Sequence, residues 1–305
     1  MSDRPLLTVL IPTYNEERNL PDCLASVAWV DEIFVVDSFS SDRTVEIARA
    51  AGARVVQHQY LNSANQKNWA IPQCTHRWVM VVDADERVTP ALADEIRAAL
   101  AHPGGPAAAA FSIPRDNWIF GHRIRHGGWG SDRLTRLFDR ERARYKDLEV
   151  HADMQVDGPV ARLEQPLEHW TYRTFDDYFE KFGRYTTWSA NDLWKRGTRA
   201  RWWHLLIKPW WRFLRMYLLK RGILDGVPGL ILAGLSACTL FVRWGKLWAM
   251  GRAQASDARW PDGRRIVHAG AAIHDEREVI AGGKRGQLDA KLSGPAGSPP
   301  TPPGP

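Results

Sequence analysis

Short apolar runs alternate with helical patterns through the first hundred residues, and this alternation limits the folds open to the chain. The runs, which are rich in β-branched residues, are 6–11, 32–36, 54–57 and 78–82. One helical pattern begins at Thr89-Pro90, a pair that can cap and open a helix. Strands that alternate with helices predict βαβ units, and therefore an α/β fold built on a mainly parallel sheet.

Length and composition set wider bounds on the protein. Its 305 residues suffice for one large core, or for one core with an accessory region. With 44% apolar and 25% charged residues, the composition excludes wholesale disorder and a polytopic membrane protein. The 3 cysteines are too few for a disulfide framework or a zinc cluster. We expect reduced thiols and, since no secretory signal opens the sequence, a cytosolic catalytic region.

Polar residues follow the apolar runs at the sheet edge where α/β proteins bind ligands. Asp83 and Asp85 come directly after the run 78–82. Residues two apart on an extended chain point to the same side, so both carboxylates can converge on one point. Such a pair suits Mg²⁺ or Mn²⁺ together with substrate phosphates, and the alternative is a strand-ending turn with solvated acids.

Asp37 ends the second run, where an acid can accept hydrogen bonds from a base or from ribose hydroxyls. Neither G-x-G-x-x-G nor G-x-x-x-x-G-K-S/T follows the first strand, which removes the main support for nicotinamide and P-loop nucleotide sites. The sequence therefore predicts a nucleoside diphosphate that is held through a metal and carboxylates.

Four motifs, in this order, carry a family resemblance. They are VLIPTYNEE at 9–17, VVDS at 35–38 with SDRT at 41–44, QKNWA at 66–70 and VVDADE at 81–86. Together they resemble the amino-terminal half of family 2 inverting glycosyltransferases, which have the Rossmann-like GT-A fold. Later segments resemble the bacterial lipopolysaccharide-core glucosyltransferase branch: NWIFG at 117–121, HGGW at 126–129, RLTRLF at 133–138, Val150-His151, His169 and Asp225-Gly226.

The resemblance implies a nucleotide-sugar donor, usually a UDP-sugar and here UDP-glucose. Its pocket would be lined by four residues that follow the first strand: Pro12, Thr13, Tyr14 and Glu16. Asp37 would contact the base, and Lys67 would lie near the diphosphate. Asp83, which would also face the nucleotide, would form with Asp85 the Asp-x-Asp element that holds Mg²⁺ or Mn²⁺. The metal charge would stabilise the departing nucleoside diphosphate.

Inversion at the anomeric carbon requires a carboxylate base for the acceptor hydroxyl. Relatives often carry an acid directly after the Val-His pair, but Ala152 stands there in this chain. We expect Glu149 to be the base, with Asp153 as the second candidate, and an exposed loop acid is the alternative interpretation of either. His151 and His169 either pack as ordinary histidines or contribute to the diphosphate or metal site.

For two arginines and two tryptophans in the second half of the chain, the sequence allows two interpretations each. Arg133 and Arg136 either bind phosphate groups through their guanidinium forks or belong to a solvated basic loop. Trp118 and Trp129 either stack on a sugar face or pack in the core.

Residues 195–252 form a basic region with 12 Lys or Arg residues, 6 tryptophans and one acid, Asp225. The rest of the chain is net negative, with 29 basic against 34 acidic residues. Interfacial helices combine a cationic face with Trp and Leu, so the region predicts an anionic membrane surface as partner, and internal packing of the tryptophans is the alternative. No nucleic-acid-binding motif is visible, and we expect no nucleic acid partner.

The uncharged stretch 227–242 has 16 residues, fewer than the roughly 20 that span a bilayer. Pro228 and several glycines favour a shallow or re-entrant hairpin over 222–242. We expect peripheral or shallow attachment to the cytoplasmic face of the inner membrane. The expected domains are a catalytic domain at 1–170, a helical membrane-associated region at 171–252, and an extension at 253–305 that is disordered from about 282.

These expectations combine into an inverting, metal-dependent hexosyltransferase that acts on a lipid-anchored saccharide such as the lipopolysaccharide inner core. A polyprenyl-phosphate glycosyltransferase is the enzymatic alternative, because it shares the amino-terminal motifs and a membrane-proximal tail. A non-catalytic nucleotide-sugar or membrane-binding protein is the alternative from another class.

Overall fold

The computed structural model describes residues 4–60, 62–102, 106–130, 132–146 and 154–255. The predicted bases Glu149 and Asp153, together with His151 and the carboxyl-terminal tail, lie outside the described residues.

The amino-terminal part alternates strands and helices, as the sequence predicts. Its elements are β1 (Leu7–Thr13), α1 (Leu20–Ser26), β2 (Glu32–Asp37), α2 (Thr44–Ala50), β3 (Arg54–Gln57), α3 (Ser63–Ala70), a short 3-10 helix (Ile71–Gln73), β4 (Trp78–Val81), β5 (Glu86–Val88) and α4 (Pro90–Leu100). The hydroxyl of Thr89 caps α4 by accepting the N–H of Leu92 at 3.1 Å.

The second part adds further strands and then long helices. They are β6 (Ala110–Ile119), β7 (His122–Ile124), β8 (Arg133–Asp139), β9 (Ala143–Tyr145), β10 (Met154–Val156), β11 (Val160–Arg162), β12 (Leu167–Tyr172), α5 (Phe175–Lys195), α6 (Trp202–Leu214) and α7 (Gly226–Ala255). A π-helical turn, Arg215–Leu219, and a 3-10 helix, Gly222–Asp225, join α6 to α7.

One mixed sheet runs in the order β3-β2-β1-β4-β8-β6-β12-β5, with β7 and β11 paired to β6. The strands β3, β2, β1 and β4 are parallel, and β8 is antiparallel to both of its neighbours. Beyond it, β12 runs parallel to β6 and antiparallel to β5. The predicted α/β fold with a mainly parallel sheet is confirmed, and the carboxyl ends of β1, β2 and β4 share one edge.

Strand β1 packs on both of its faces. Val9 and Ile11 belong to one apolar cluster, which includes Ile96 of α4, while Leu10 belongs to a second cluster on the opposite face with Phe34. Burial on both faces is typical of parallel strands and explains why these strands read as continuous apolar runs and not as alternating ones.

The chain divides into two compact units. One holds residues 1–178 and 214–233, and the other holds 179–213 and the described residues from 234 onward. The second unit packs around Ala190, Trp244 and Leu247, which are buried. Lys246 donates to the Thr186 and Thr187 hydroxyls within this unit, at 2.8 Å and 2.6 Å.

Helix α7 corrects the predicted hairpin, because it runs unbroken from Gly226 to Ala255. Pro228 lies in the first turn of this helix, where its missing N–H costs no hydrogen bond, so it does not break the segment. By length and composition Gly222–Arg252 could cross a membrane: the mean hydropathy of its most apolar 18-residue window is 1.7, and 17% of that window is buried.

Candidate active site

The loop after β4 is a tight turn from Asp83 to Glu86. The N–H of Glu86 donates to the Asp83 carbonyl at 2.8 Å, and the N–H of Asp83 donates to the Glu86 carboxylate at 2.9 Å. Glu86 is fully buried and so fixes the backbone of the turn. Asp83 and Asp85 therefore stand on a turn, and the prediction that an extended chain presents them is wrong.

The Asp83 carboxylate lies between two cations. Lys67 Nζ is 3.1 Å from one oxygen, and Arg136 Nη2 is 2.5 Å from the other. Arg136 also binds Glu86 at 2.7 Å, so one guanidinium bridges two acids. Burial by itself raises the pKa of Asp83, but the charges of Arg136 and Lys67 outweigh it and hold that pKa well below its usual value. Asp83 therefore stays ionised.

Lys67 reaches Asp83 from helix α3. The helix is capped by Asn62, whose side chain accepts the N–H of Asn65 at 2.8 Å. The Lys67 ammonium is buried and lies 5.4 Å from the centre of the Tyr145 ring. The structure thus brings together Lys67 and Asp83, two of the residues that were expected around the diphosphate. Their separation in the sequence does not predict this ion pair.

Asp85 faces His169 on β12, the strand paired with β5. The carboxylate Oδ1 and the imidazole Nε2 are 3.8 Å apart, beyond hydrogen-bond distance. The other ring nitrogen, Nδ1, lies 2.7 Å from Oδ1 of Asn117, whose amide nitrogen donates to the Trp129 carbonyl at 2.7 Å. Because that bond fixes the amide orientation, Nδ1 is the donor, and in the neutral form of the ring Nε2 is an acceptor that faces Asp85.

Two acceptors that face each other fit a cation between them. A carboxylate and a neutral imidazole are both metal ligands, and a hydrogen bond on Nδ1 is the usual way to orient a ligating histidine. Across the described ranges, no three His, Cys, Asp or Glu residues gather into a metal-binding group. Asp85 and His169 therefore fit a divalent cation whose remaining ligands come from a phosphorylated molecule.

Asp37 lies fully buried at the end of β2, between Thr13 of β1 and Gln57 of β3 in the sheet register. Its carboxylate accepts hydrogen bonds from the Thr13 hydroxyl at 3.2 Å, the Gln57 amide at 3.0 Å and the Ser40 N–H at 3.0 Å. The Ser40 hydroxyl donates to it as well. The carboxylate thus joins three strand ends and the loop after β2, and its contact with a base stays a prediction.

The loop after β1 is tied to the loop after β2. Asn15 has a left-handed backbone, with φ 54°, and its side-chain oxygen accepts the N–H of Ser41 at 2.8 Å. The N–H of Glu16 donates to the Thr44 hydroxyl at 2.8 Å. The side chains predicted to line the pocket differ in exposure, listed here from buried to exposed: Thr13, then the half-buried Pro12 and Glu16, then Tyr14.

Comparison with known proteins decides the family. Residues 8–158 match the glycosyl transferase family 2 model. The chain belongs to this family. The mixed sheet is accordingly the GT-A fold that the resemblance implied, and the protein is a transferase.

The similarity of this glycosyltransferase to individual relatives extends beyond residues 8–158. It is 28% identical to the lipopolysaccharide core biosynthesis glycosyltransferase LpsC of Rhizobium meliloti, over 78% of this chain and 92% of that protein. It is 26% identical to an uncharacterized glycosyltransferase of Rickettsia typhi, over 79% of this chain and 86% of that protein.

Two solved structures are similar in part to this glycosyltransferase. Residues 1–349 of Staphylococcus aureus TarS are 14% identical with a TM-score of 0.40, over 83% of this chain and 93% of that one. Glucosyl-3-phosphoglycerate synthase of Mycobacterium tuberculosis is 20% identical with a TM-score of 0.31, over 37% of this chain and 44% of that chain. This glycosyltransferase thus spans less than half of the second structure in the match.

The arginines of β8 have structural partners in the glycosyltransferase. Arg133 donates to the carbonyls of Ser112 and Leu163 at 3.2 Å and 2.9 Å, and Arg136 is buried against Asp83 and Glu86. Both arginines lie on a strand, so a solvated basic loop is the wrong interpretation. Sequence analysis missed the role of Arg136, because its partners Asp83 and Glu86 lie 53 and 50 residues earlier in the sequence.

The tryptophans of the basic region differ in burial. Trp244 is buried in the second unit, where Lys208 Nζ lies 3.9 Å from the ring centre. Trp202, Trp210 and Trp211 of α6 are exposed. In the first half, the half-buried Trp118 stacks on Trp170 with ring centres 4.9 Å apart.

Proposed function

We propose that this glycosyltransferase transfers a hexose, in the simplest case glucose from UDP-glucose, to a lipid-anchored saccharide such as the lipopolysaccharide inner core. The observation that carries the proposal is the similarity to LpsC, named for lipopolysaccharide core biosynthesis, over 78% of this chain and 92% of that protein. A likeness of that extent includes the basic helical region as well as the nucleotide-binding half.

The donor would lie at the carboxyl ends of β1, β2 and β4. In this proposal Asp37 recognises the uracil, and Pro12, Thr13, Tyr14 and Glu16 line the nucleotide pocket. The support is that the register holds Thr13 beside Asp37, so the two sides of the pocket are built on adjacent strands.

In this proposal Asp83 and Lys67 lie on the side of the pocket that receives the diphosphate. The Lys67 ammonium lies 3.1 Å from Asp83, and its positive charge can stabilise the negative charge that develops on the leaving phosphate. Arg136 holds the Asp83 carboxylate in place, and that carboxylate in turn fixes the position of the Lys67 ammonium.

Asp85 with His169 would hold Mg²⁺ or Mn²⁺, and we assign Asp83 to positioning because two cations already neutralise it. The bound ion would neutralise charge that builds on the leaving nucleoside diphosphate. Asn117 orients the His169 ring for this task through its 2.7 Å hydrogen bond to Nδ1.

The acceptor hydroxyl would lose its proton to Glu149, with Asp153 as the second candidate, and attack would invert the anomeric carbon. Glu149→Gln is expected to abolish transfer while UDP binding persists. Near-normal turnover would move the assignment to Asp153, and loss of UDP binding would show that Glu149 has a structural role.

We further propose that the enzyme works at the cytoplasmic face of the inner membrane, where a cytosolic nucleotide-sugar can meet a lipid-anchored acceptor. The exposed tryptophans of α6 and the apolar length of Gly222–Arg252 support membrane attachment. Release by high salt is expected of a peripheral enzyme, and retention after carbonate extraction would indicate an integral segment.

The test of function is a panel of UDP-sugars with membrane extract as acceptor, with Mn²⁺, Mg²⁺ or a chelator, followed by linkage analysis of the product. We expect transfer from UDP-glucose to a saccharide, loss of transfer with chelator, and loss of transfer in Asp85→Asn. A product on lipid phosphate would overturn the saccharide acceptor in favour of the polyprenyl-phosphate alternative.

A further inference from the structure

The connection from α6 into α7, residues 215–227, forms a surface that we call the apolar turn. It exposes five large apolar side chains, each by half or more of its surface: Leu218, Leu219, Ile223, Leu224 and Val227. Contiguous exposure of this kind marks a contact site on a folded protein.

The charges on the apolar turn indicate what it contacts. Three of its exposed residues are cations: Arg215, Lys220 and Arg221. Its acid, Asp225, points inward with 5% of the side chain exposed. The surface therefore exposes apolar side chains and cations, while its carboxylate is buried. Such a surface complements an anionic membrane, because apolar side chains insert at the acyl boundary and cations bind the headgroups.

Asp225 anchors the apolar turn to the loop 125–130 of the same compact unit. Its carboxylate accepts the backbone N–H of Arg125 at 3.2 Å and of His126 at 2.8 Å, and His126 Nδ1 lies 2.8 Å from Oδ1. The N–H of Gly127 donates to the Lys220 carbonyl at 2.8 Å. A displacement of the turn therefore acts directly on the loop backbone.

The backbones of the loop and the turn also approach each other closely at Gly127. Gly127 has φ +68°, and a Cβ there would lie 3.9 Å from Gly222 Cα. Where the turn meets α7, a Cβ on Gly229 would lie 1.9 Å from the Gly222 carbonyl oxygen. These backbone contacts leave little freedom for the turn to move without the loop.

The far end of the same loop reaches the candidate active site. The Trp129 carbonyl accepts the amide of Asn117, and Asn117 in turn holds Nδ1 of His169. Asn117 is fully buried, so the loop carbonyl satisfies a polar group that water cannot reach. Hydrogen bonds and the loop backbone therefore connect Asp225 through Asn117 to His169, whose Nε2 lies 3.8 Å from the Asp85 carboxylate.

We propose that the apolar turn inserts into an anionic membrane surface and that this contact steadies the loop 125–130, which positions His169 beside Asp85. Asp225 and His126 are positioning residues in this arrangement. Transfer is then fastest where the lipid-anchored acceptor is found. The effect on the reaction rests on the proposed function, whereas the membrane contact and the ordering of the loop do not.

Membrane contact is tested with the full chain and vesicles of phosphatidylglycerol and phosphatidylcholine. The variant Leu219→Ser/Leu224→Ser is expected to bind these vesicles about tenfold more weakly or worse, because it loses apolar burial. The matched control is Leu6→Ser/Val160→Ser, which alters two side chains of similar exposure elsewhere in the same unit. Equal vesicle binding by the two double variants, or equal binding of the wild type to phosphatidylcholine alone, would overturn the contact.

Coupling is tested by amide hydrogen exchange of residues 125–130 with and without vesicles. We expect severalfold slower exchange on the vesicles in the wild type, and no change in Asp225→Asn although it still binds them. If Asp225→Asn fails to fold, His126→Ala removes one bond of the anchor and is expected to lose part of the protection. Unchanged exchange in the wild type on vesicles would overturn the coupling.

UDP-glucose consumption separates positioning from a simple structural defect. Vesicles are expected to stimulate the wild type, and Asp225→Asn is expected to lose that stimulation. A structural defect would lower the rate equally with and without vesicles, and that result would overturn the positioning role. If no UDP-sugar is consumed at all, the proposed function fails, while vesicle binding and exchange still decide the contact and the ordering.

Discussion

Arg136 binds Asp83 at 2.5 Å from the adjoining strand, and the same Nη2 atom binds the fully buried Glu86 at 2.7 Å. Removal of this guanidinium leaves Glu86 buried with Arg115 as its nearest cation, at 3.7 Å. We expect Arg136→Met to lose about 3 kcal/mol of unfolding free energy, the lower range for a broken buried ion pair. Urea unfolding measures the loss.

Arg144→Met is the matched control for this variant, because Arg144 lies exposed on β9. It is expected to change stability by less than about 0.5 kcal/mol. Arg136→Lys keeps a charge without the planar fork and should fall between the two. Equal stability of Arg136→Met and Arg144→Met would refute the bridging role.

Local signals explain why so much of the sheet can be predicted from the sequence. The run 78–82 is continuous and apolar because β4 is buried on both faces, and Thr89-Pro90 opens a helix because its cap bond spans three residues. The partners of Asp83 and Asp37 lie far apart in the sequence, as Arg136 and Gln57 show. Propensity and spacing carry no information on such contacts, so the buried ion bridge could not be predicted.

The hairpin prediction failed for a related reason. Pro228 is a helix breaker only in a helix interior, and the sequence does not show that α7 begins at Gly226, two residues earlier. The predicted base is a different case, since Glu149 and Asp153 lie outside the described residues and stay predictions.

Glu32 is expected to set part of the acid stability. Burial tends to raise its pKa, but donors on Thr8, Thr75 and Arg54 lower that pKa to about 2 from 4.5. The unfolded state therefore binds this proton more tightly than the folded state does. The stability that Glu32 contributes is complete above about pH 5 and is lost as the pH falls toward 2. Glu32→Gln should cost about 2 kcal/mol at neutral pH.

The measurement for Glu32 is the free energy of unfolding from pH 2 to 7. Glu32→Gln should show a flatter curve below pH 5 than the wild type. Glu141→Gln serves as control because its carboxylate is largely exposed, and its curve should follow the wild type. A Glu32→Gln curve parallel to the wild type would contradict the low pKa.

Asn117 is expected to govern metal affinity through His169. Asn117→Leu removes the closer partner of Nδ1 and leaves the Thr171 hydroxyl at 3.1 Å, so the orientation and tautomer of the imidazole are held less firmly. We expect Mn²⁺ affinity in the presence of UDP to fall about 10-fold or more, as is usual for the partner of a ligating histidine. Titration calorimetry measures the change.

Asn117→Asp is the conservative variant, since it keeps an acceptor for Nδ1 and loses the donor to the Trp129 carbonyl. It should bind Mn²⁺ more tightly than Asn117→Leu. Wild-type Mn²⁺ affinity in Asn117→Leu, with folding intact, would exclude His169 as a ligand that depends on Asn117.

Two glycines of the same helix should respond in opposite directions to alanine. A Cβ on Gly229 would lie 1.9 Å from the Gly222 carbonyl oxygen, so Gly229→Ala forces the backbone apart and is expected to destabilise the protein by about 2 kcal/mol. Gly234 has nothing within 4 Å of such a Cβ, and Gly234→Ala should stabilise by about 0.5–1 kcal/mol through higher helix propensity. Thermal unfolding distinguishes the signs, and stabilisation by both substitutions would show that the apolar turn does not pack closely on α7.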